Sequence, residues 1–253
     1  MMNPAEYANI VKCEREFWWY RGMEKILFRL LDPIVQRRIS AGTPRAVEVG
    51  CGTGYMASRL EQRFGWEMFP TDLQHEGLLY GLREGIRRMA QAEISALPFH
   101  DGRFDAVVSL DVMVYVPRGD EGKAIGELAR VLTPGGLLVL RTAALEIMRS
   151  HHAEFTGELQ RFTRGQVLRL ASENGIRVLR CTYANSLLMP IALAKFRLIE
   201  PLMPGKPSSG VEPVAPWLNR ALYRALETES EWLGSGRDLP IGQSLILIGE
   251  KNK

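Results

Sequence analysis

The sequence predicts an α/β fold in which seven strands form a mostly parallel sheet with helices on both faces. Three observations predict it. From Arg45 onward, short apolar, strand-like runs alternate with amphipathic helical runs, the pattern of a parallel sheet with crossover helices. A glycine-rich turn, VEVGCGTG at 47–54, separates the first strand run from the first helix run. Residues 1 to about 40, by contrast, carry only helical periodicity.

Taken in order, the N-terminal segment places Ile26, Leu27, Leu30, Leu31 and Ile34 at three- and four-residue spacing. Pro33 is expected to kink or divide this stretch, since proline removes a backbone donor and clashes with the preceding turn. AGTP (41–44) reads as a loop. AVEVG is a strand, YMASRLEQRF a helix, WEMFPTD (66–72) a second strand, and a helix follows around 76–85. IRRMAQAE (86–93) is a weakly written third strand and FDAVVSLD (104–111) a strong fourth. A helix at about 120–132 ends in the turn TPGG, before the fifth strand LLVLRTA (137–143). The helix TRGQVLRLASENG (163–175) leads to the strand IRVLRCTYA (176–184), and SLILIGEK (244–251) is the last strand. The organisation expected is a helical lid over 1–44, a core over 45–184, an apolar helical insertion over 185–240 and the closing strand over 241–253.

Composition narrows the class. Hydrophobic residues make up 46% and charged ones 24%, ordinary values for a globular chain long enough to bury a large core. The net charge of +3 is spread rather than gathered in a basic stripe, which argues against nucleic acid as a partner. Cys13, Cys51 and Cys181 are far apart, and His75, His100, His151 and His152 form no ligand pattern with Asp or Cys, so no disulfide framework and no metal are expected. Without a leader-like start or an apolar run of roughly 18 to 20 residues, the expectation is a cytoplasmic protein with no transmembrane span. Its oligomeric state is not legible.

The glycine turn carries the chemistry. Glycines there let backbone approach a ligand closely, and the following helix N-terminus offers free N–H groups that suit a phosphate or a carboxylate. Gly52, Gly54 and Ala57 also satisfy the dinucleotide pattern, with Asp72 18 residues beyond Gly54, so the turn alone leaves a nicotinamide oxidoreductase open. Glu48 argues the other way: a carboxylate beside the glycines attracts an amino group and repels a pyrophosphate.

Further along, Glu93, the turn Leu97-Pro98-Phe99, the run Asp101-Gly102-Arg103-Phe104-Asp105 and ELARVLTPGGLLVL (127–140) complete a set. Over roughly 45–143 this set resembles the class I S-adenosylmethionine-dependent methyltransferases. The resemblance implies a Rossmann-like seven-stranded sheet whose last strand is antiparallel, with S-adenosylmethionine as cofactor and S-adenosylhomocysteine as product. It implies that Gly50, Cys51, Gly52 and Gly54 form the loop around the methionine half, and that Glu48 holds its amino group. Asp72 would bind the ribose hydroxyls, with Leu73 against the adenine. Glu93 would accept from the adenine amino group, Ile94 would offer a backbone N–H, and Leu110 and Asp111 would border the sulfonium. A relative that binds the cofactor without catalysis also stays open.

Phe17-Trp18-Trp19-Tyr20-Arg21-Gly22 is similar to an N-terminal aromatic segment in a bacterial small-molecule subgroup of that family. Adjacent tryptophans cannot share one helix face, so one packs inward while another can cover the reaction site. Gly157-Glu158-Leu159-Gln160-Arg161-Phe162-Thr163 resembles a second subgroup segment, with Glu158 replacing a His and Phe162 a Tyr, and Tyr115 stands where many relatives have a His. These departures fall on the acceptor side. His152 is the first candidate for a general base, followed by His151, Tyr20 and Tyr115. The apolar run at 187–204, interrupted by Lys195 and Arg197, reads as core, as a roof over the acceptor, or as a face on a membrane. The expected acceptor is a small molecule, apolar or lipid-linked.

Overall fold

A computed structural model describes residues 2–38, 42–202 and 208–253. Helices α1 (Ala5–Cys13) and α2 (Trp18–Val35) precede the sheet. The chain then runs β1 (Arg45–Val49), α3 (Tyr55–Phe64), β2 (Glu67–Asp72), α4 (His75–Arg83), β3 (Ala90–Gln91), β4 (Phe104–Leu110), α5 (Glu121–Val131) and β5 (Leu132–Ala143). It continues with α6 (His151–Thr156), α7 (Arg164–Glu173), β6 (Ile176–Ala184), α8 (Met189–Ala194), α9 (Pro216–Gly234) and β7 (Ser244–Lys251). The strands form one sheet in the order β3-β2-β1-β4-β5-β7-β6. Every pairing from β3 to β5 is parallel, and β7 is antiparallel to both neighbours, with Arg141 opposite Ile246. This is the expected sheet, including its antiparallel last strand.

Alternation along the strands sorts side chains between two cores. Val47, Val107, Leu138, Leu140 and Leu247 meet α5 and α7 on one face. Ala46, Val108, Val139, Ile246 and Ile248 meet α2, α3 and α9 on the other. Glu48 and Arg141, being in phase with Ala46 and Val139, emerge on the α2 side.

The structure departs from expectation in four places. Residues 1–44 are not a lid throughout: α2 buries Met23, Ile26, Leu27, Leu30 and Leu31 against the sheet and is core. Its wide apolar stripe demands such burial. Pro33 sits in the last turn of α2 without dividing it, and the chain breaks at 14–17 instead. The expected third strand shrinks to Ala90–Gln91 at the sheet edge, because Arg88, at φ 61, leaves the strand to pair with Glu61 and Glu67. The TPGG turn lies inside β5 as an irregularity, where the pairing jumps from Phe104↔Leu132 to Ala106↔Leu137. Of the loop expected at 41–44, residue 41 lies outside the described residues, as do 203 and 204 of the apolar run. No helix among the described residues is long and apolar enough to cross a membrane.

Candidate active site

Parallel strands point their carboxyl ends to one edge, and a crevice opens there where the chain turns from one flank to the other. Here the ends of β1, β2, β4 and β5 open onto a cavity of about 1120 Å³. Pockets for a single ligand hold roughly 300–1,000 Å³, so this one has room for two reactants side by side.

The glycine turn forms one wall. Gly50, with φ 77, turns so tightly beneath Val112 that a Cβ would lie 2.0 Å from its Cγ2. Gly50, Cys51 and Gly52 line the cavity. Gly54 is not among the lining residues: it caps α3, where a Cβ would meet Ile86 and Met89.

Asp72, at the end of β2, clamps that turn. Its carboxylate accepts the Gly52 N–H at 2.7 Å, the Gln74 N–H at 2.8 Å and the Tyr7 O–H at 3.2 Å. Burial nevertheless pushes its pKa above the ordinary value. Glu48 is only 2% exposed. Its Oε2 has no partner, and the Ala57 backbone N–H is the chief influence holding its pKa down. Burial, reinforced by the charge of Asp72 and opposed by Arg141, pushes its pKa up to about 8. A buried carboxyl oxygen without a donor is costly, and a cation or ammonium group at the cavity wall would satisfy it. Leu73, Glu93 and Ile94 line the same lobe, Glu93 accepting from the Ser95 hydroxyl at 2.6 Å.

Helix α1 closes this lobe. Besides Tyr7, its C-terminal flank supplies Glu14, which accepts the Thr53 hydroxyl at 2.5 Å. Glu6, Tyr7, Ile10 and Glu14 all line the cavity. Sequence reasoning missed them because no local pattern announces contacts across 39 or 65 residues.

Leu110 ends β4, Asp111 follows it, and both line the cavity. Asp111, at φ 60, ion-pairs with Arg141 at 2.6 Å, and Trp19 lies over that guanidinium with 5.0 Å to the ring centre. Arg141 was overlooked, although a charge inside the apolar run LLVLRTA was a visible signal. The second lobe contains Tyr20 and Tyr115, whose phenols burial holds protonated far above neutral pH. His151 lines the lobe, its backbone N–H bound to Glu200 at 2.8 Å. His152 Nδ1 accepts the Gly210 N–H at 3.0 Å, which places the proton of the neutral ring on Nε2. Burial, with the Arg161 and Lys195 cations adding to it, pushes its pKa down to about 4. Glu158 pairs with Arg161 at 2.9 Å, and burial raises its pKa. Leu188, Ile191, Ala192, Phe196, Leu218 and Leu222 from the insertion complete the lobe with an apolar wall.

Residues 47–140 match the family described as a methyltransferase domain. A ubiquinone biosynthesis O-methyltransferase of Marinobacter nauticus is 28% identical over 137 residues, covering 49% of this chain and 56% of that protein. A demethylmenaquinone methyltransferase of Thermus thermophilus is 38% identical over 102 residues, covering 38% of this chain and 46% of that one. The chain thus spans about half the length of these curated relatives. Among solved structures, geranyl diphosphate C-methyltransferase from Streptomyces coelicolor A3(2), in complex with Mg2+, geranyl diphosphate and S-adenosyl-L-homocysteine, shares the fold. Its TM-score is 0.55 at 16% identity, over 87% of this chain and 78% of that one. With the glycine turn, the acids at the ends of β1 and β2 and the antiparallel last strand in place, the chain has a Rossmann-like methyltransferase fold, and its residues 47–140 are similar to methyltransferase domains.

Proposed function

We propose that the protein transfers a methyl group from S-adenosylmethionine onto a small acceptor with an apolar or lipid-linked body. The observation that carries this reading is the unpartnered Glu48 carboxyl oxygen beside the glycine turn, in a cavity continuous with an apolar second lobe. That carboxyl suits the α-amino group of the cofactor, whose positive charge favours the carboxylate form, whereas a pyrophosphate would favour the neutral acid and gain no charge pairing from it. Gly50, Cys51 and Gly52 would hold the methionine half, and Asp72 the ribose hydroxyls. Leu73, Glu93 and Ile94 would surround the adenine, with Leu110 and Asp111 beside the sulfonium. When bound, the cofactor supplies an activated methyl group. The chain's own residues then have to align the acceptor and exclude water. Trp18, Trp19 and Tyr20 wall the junction of the lobes, where aromatic faces favour a cation. His152 is neutral at physiological pH and positions the acceptor through its Nε2–H; as a base it must first release the Gly210 N–H. The apolar acceptor fits the insertion's wall and the quinone-related names of the two curated relatives.

Calorimetry with S-adenosylhomocysteine tests the cofactor reading. The expected affinity is micromolar, about −8 kcal/mol. Asp72→Ala should lose roughly 1.5–3 kcal/mol, since charge-assisted bonds to ribose disappear. Methyl transfer is then assayed with labelled cofactor and isoprenoid quinols. Absence of S-adenosylhomocysteine binding together with tight NADH binding would overturn the proposal.

A further inference from the structure

The run from α8 to Leu202 is helical throughout, passing from α-helix through a wider turn at Lys195–Ile199 to a tight turn at Glu200–Leu202. It has two apolar faces. Leu188, Ala192, Phe196 and Glu200 recur every four residues and line the cavity. Leu187, Ile191, Lys195, Leu198 and Leu202 recur every three or four residues on another face. That face is open: Ile191 is 68% exposed, Leu198 67% and Leu202 82%. Ile191 and Lys195 also border the cavity, so the exposed stripe begins at its rim. A single exposed leucine is ordinary, whereas a contiguous apolar stripe on a helix marks a surface that meets something.

The surroundings are basic. Arg197 donates to the backbone carbonyls of Glu146 and Ile147, which brings the exposed Ile147 beside the stripe. Neither Lys195 nor Arg197 has a carboxylate partner among the described residues. Arg118 and Arg149 share the single carboxylate of Glu146. The patch therefore combines exposed Leu and Ile with an excess of positive charge. Apolar side chains flanked by Lys and Arg are the signature of a helix that lies in the headgroup layer of an anionic bilayer.

We propose that the outer face of 187–202 docks on an anionic phospholipid bilayer and brings the cavity rim to the lipid surface. An acceptor with a long apolar body then reaches the second lobe without crossing water. The identity of that acceptor rests on the methyltransferase reading, whereas the docking surface rests on exposure and charge alone.

The test is sedimentation of the full chain with phosphatidylcholine vesicles, with and without phosphatidylglycerol. The expected result is binding to the anionic vesicles, weakened by added salt. The double variant Leu198→Asp/Leu202→Asp, which lies outside the cavity lining, should partition at least about tenfold more weakly. Its binding of S-adenosylhomocysteine and its melting temperature should match the wild type, which separates docking from the cofactor reading and from misfolding. No binding of the wild type to anionic vesicles, or equal binding by the double variant, would overturn the proposal. So would a wild-type dimer in light scattering that the double variant breaks, because the stripe would then belong to a second copy. Arg197→Gln should reduce the preference for anionic over neutral vesicles; an unchanged preference contradicts the charge argument.

Discussion

Asp72 carries a structural load before any ligand arrives. A carboxylate has about four lone-pair sites, and Gly52, Gln74 and Tyr7 occupy three of them. Were Asp72 to bind the ribose hydroxyls as proposed, the Tyr7 hydroxyl would compete with them for its oxygens. Tyr7→Phe should strengthen S-adenosylhomocysteine binding by up to about 1 kcal/mol, roughly fivefold, measured by calorimetry. Weakened binding would instead put the Tyr7 hydroxyl on the ligand. Glu48 makes the site pH-dependent. Its folded pKa of about 8 lies above the ordinary 4.5, so its contribution to stability is full below pH 4.5 and is lost as pH rises through 8. An ammonium ligand reverses that preference by favouring the carboxylate. S-adenosylhomocysteine affinity should accordingly rise about tenfold per pH unit below 8, with one proton released on binding. Calorimetry in buffers of different ionisation enthalpy measures that proton. Glu48→Gln should bind more weakly and flatten the profile; a profile that keeps its slope would assign the titration to another group.

Between elements, the α2–α9 crossing depends on one missing side chain. A Cβ on Gly22 would lie 2.4 Å from Cδ1 and 2.6 Å from Cβ of Leu226, so alanine there forces the helices apart. Alanine gains about 1 kcal/mol in helix propensity, whereas overpacking costs about 1–3 kcal/mol. Gly22→Ala should therefore lower stability, read as an earlier midpoint in denaturant with an unchanged slope. The same crossing explains the sequence around it. The aromatic run Phe17–Tyr20 sits at the start of α2, so seating α2 on the sheet carries Trp18, Trp19 and Tyr20 to the cavity edge. From α9, Glu229 accepts the backbone N–H groups of Asn185, Ser186 and Leu187, fixing the turn that leads β6 into the cavity roof.

In the whole molecule, α2 and α9 share one core with β1, β4, β5 and β7. Deleting residues 1–44 should remove the fold along with the N-terminal segment, leaving aggregated chain rather than an open enzyme. The full chain should unfold in one transition by near- and far-ultraviolet circular dichroism. S-adenosylhomocysteine at a hundred times its dissociation constant should add about 2.7 kcal/mol of stability. A folded, cofactor-binding product from the truncated chain would contradict this account.

The sheet was legible because its signals are local: alternation in AVEVG, FDAVVSLD and SLILIGEK, and glycines where the backbone must turn. Glu48, Asp72 and Glu93 stood out because they lie at or near strand ends, Glu48 and Asp72 within the last two residues of β1 and β2 and Glu93 two residues past β3. The third strand was overread, since propensity in IRRMAQAE does not show that Arg88 prefers Glu61 and Glu67 across space. By itself, the sequence determined the order of the elements, the parallel core and the acids at its carboxyl edge. Only the tertiary structure decided that Tyr7 and Glu14 reach the glycine turn, that Arg141 pairs with Asp111, and that α2 is core. Those contacts join residues distant along the chain, and their formation depends on burial and charge that exist only once the elements have packed.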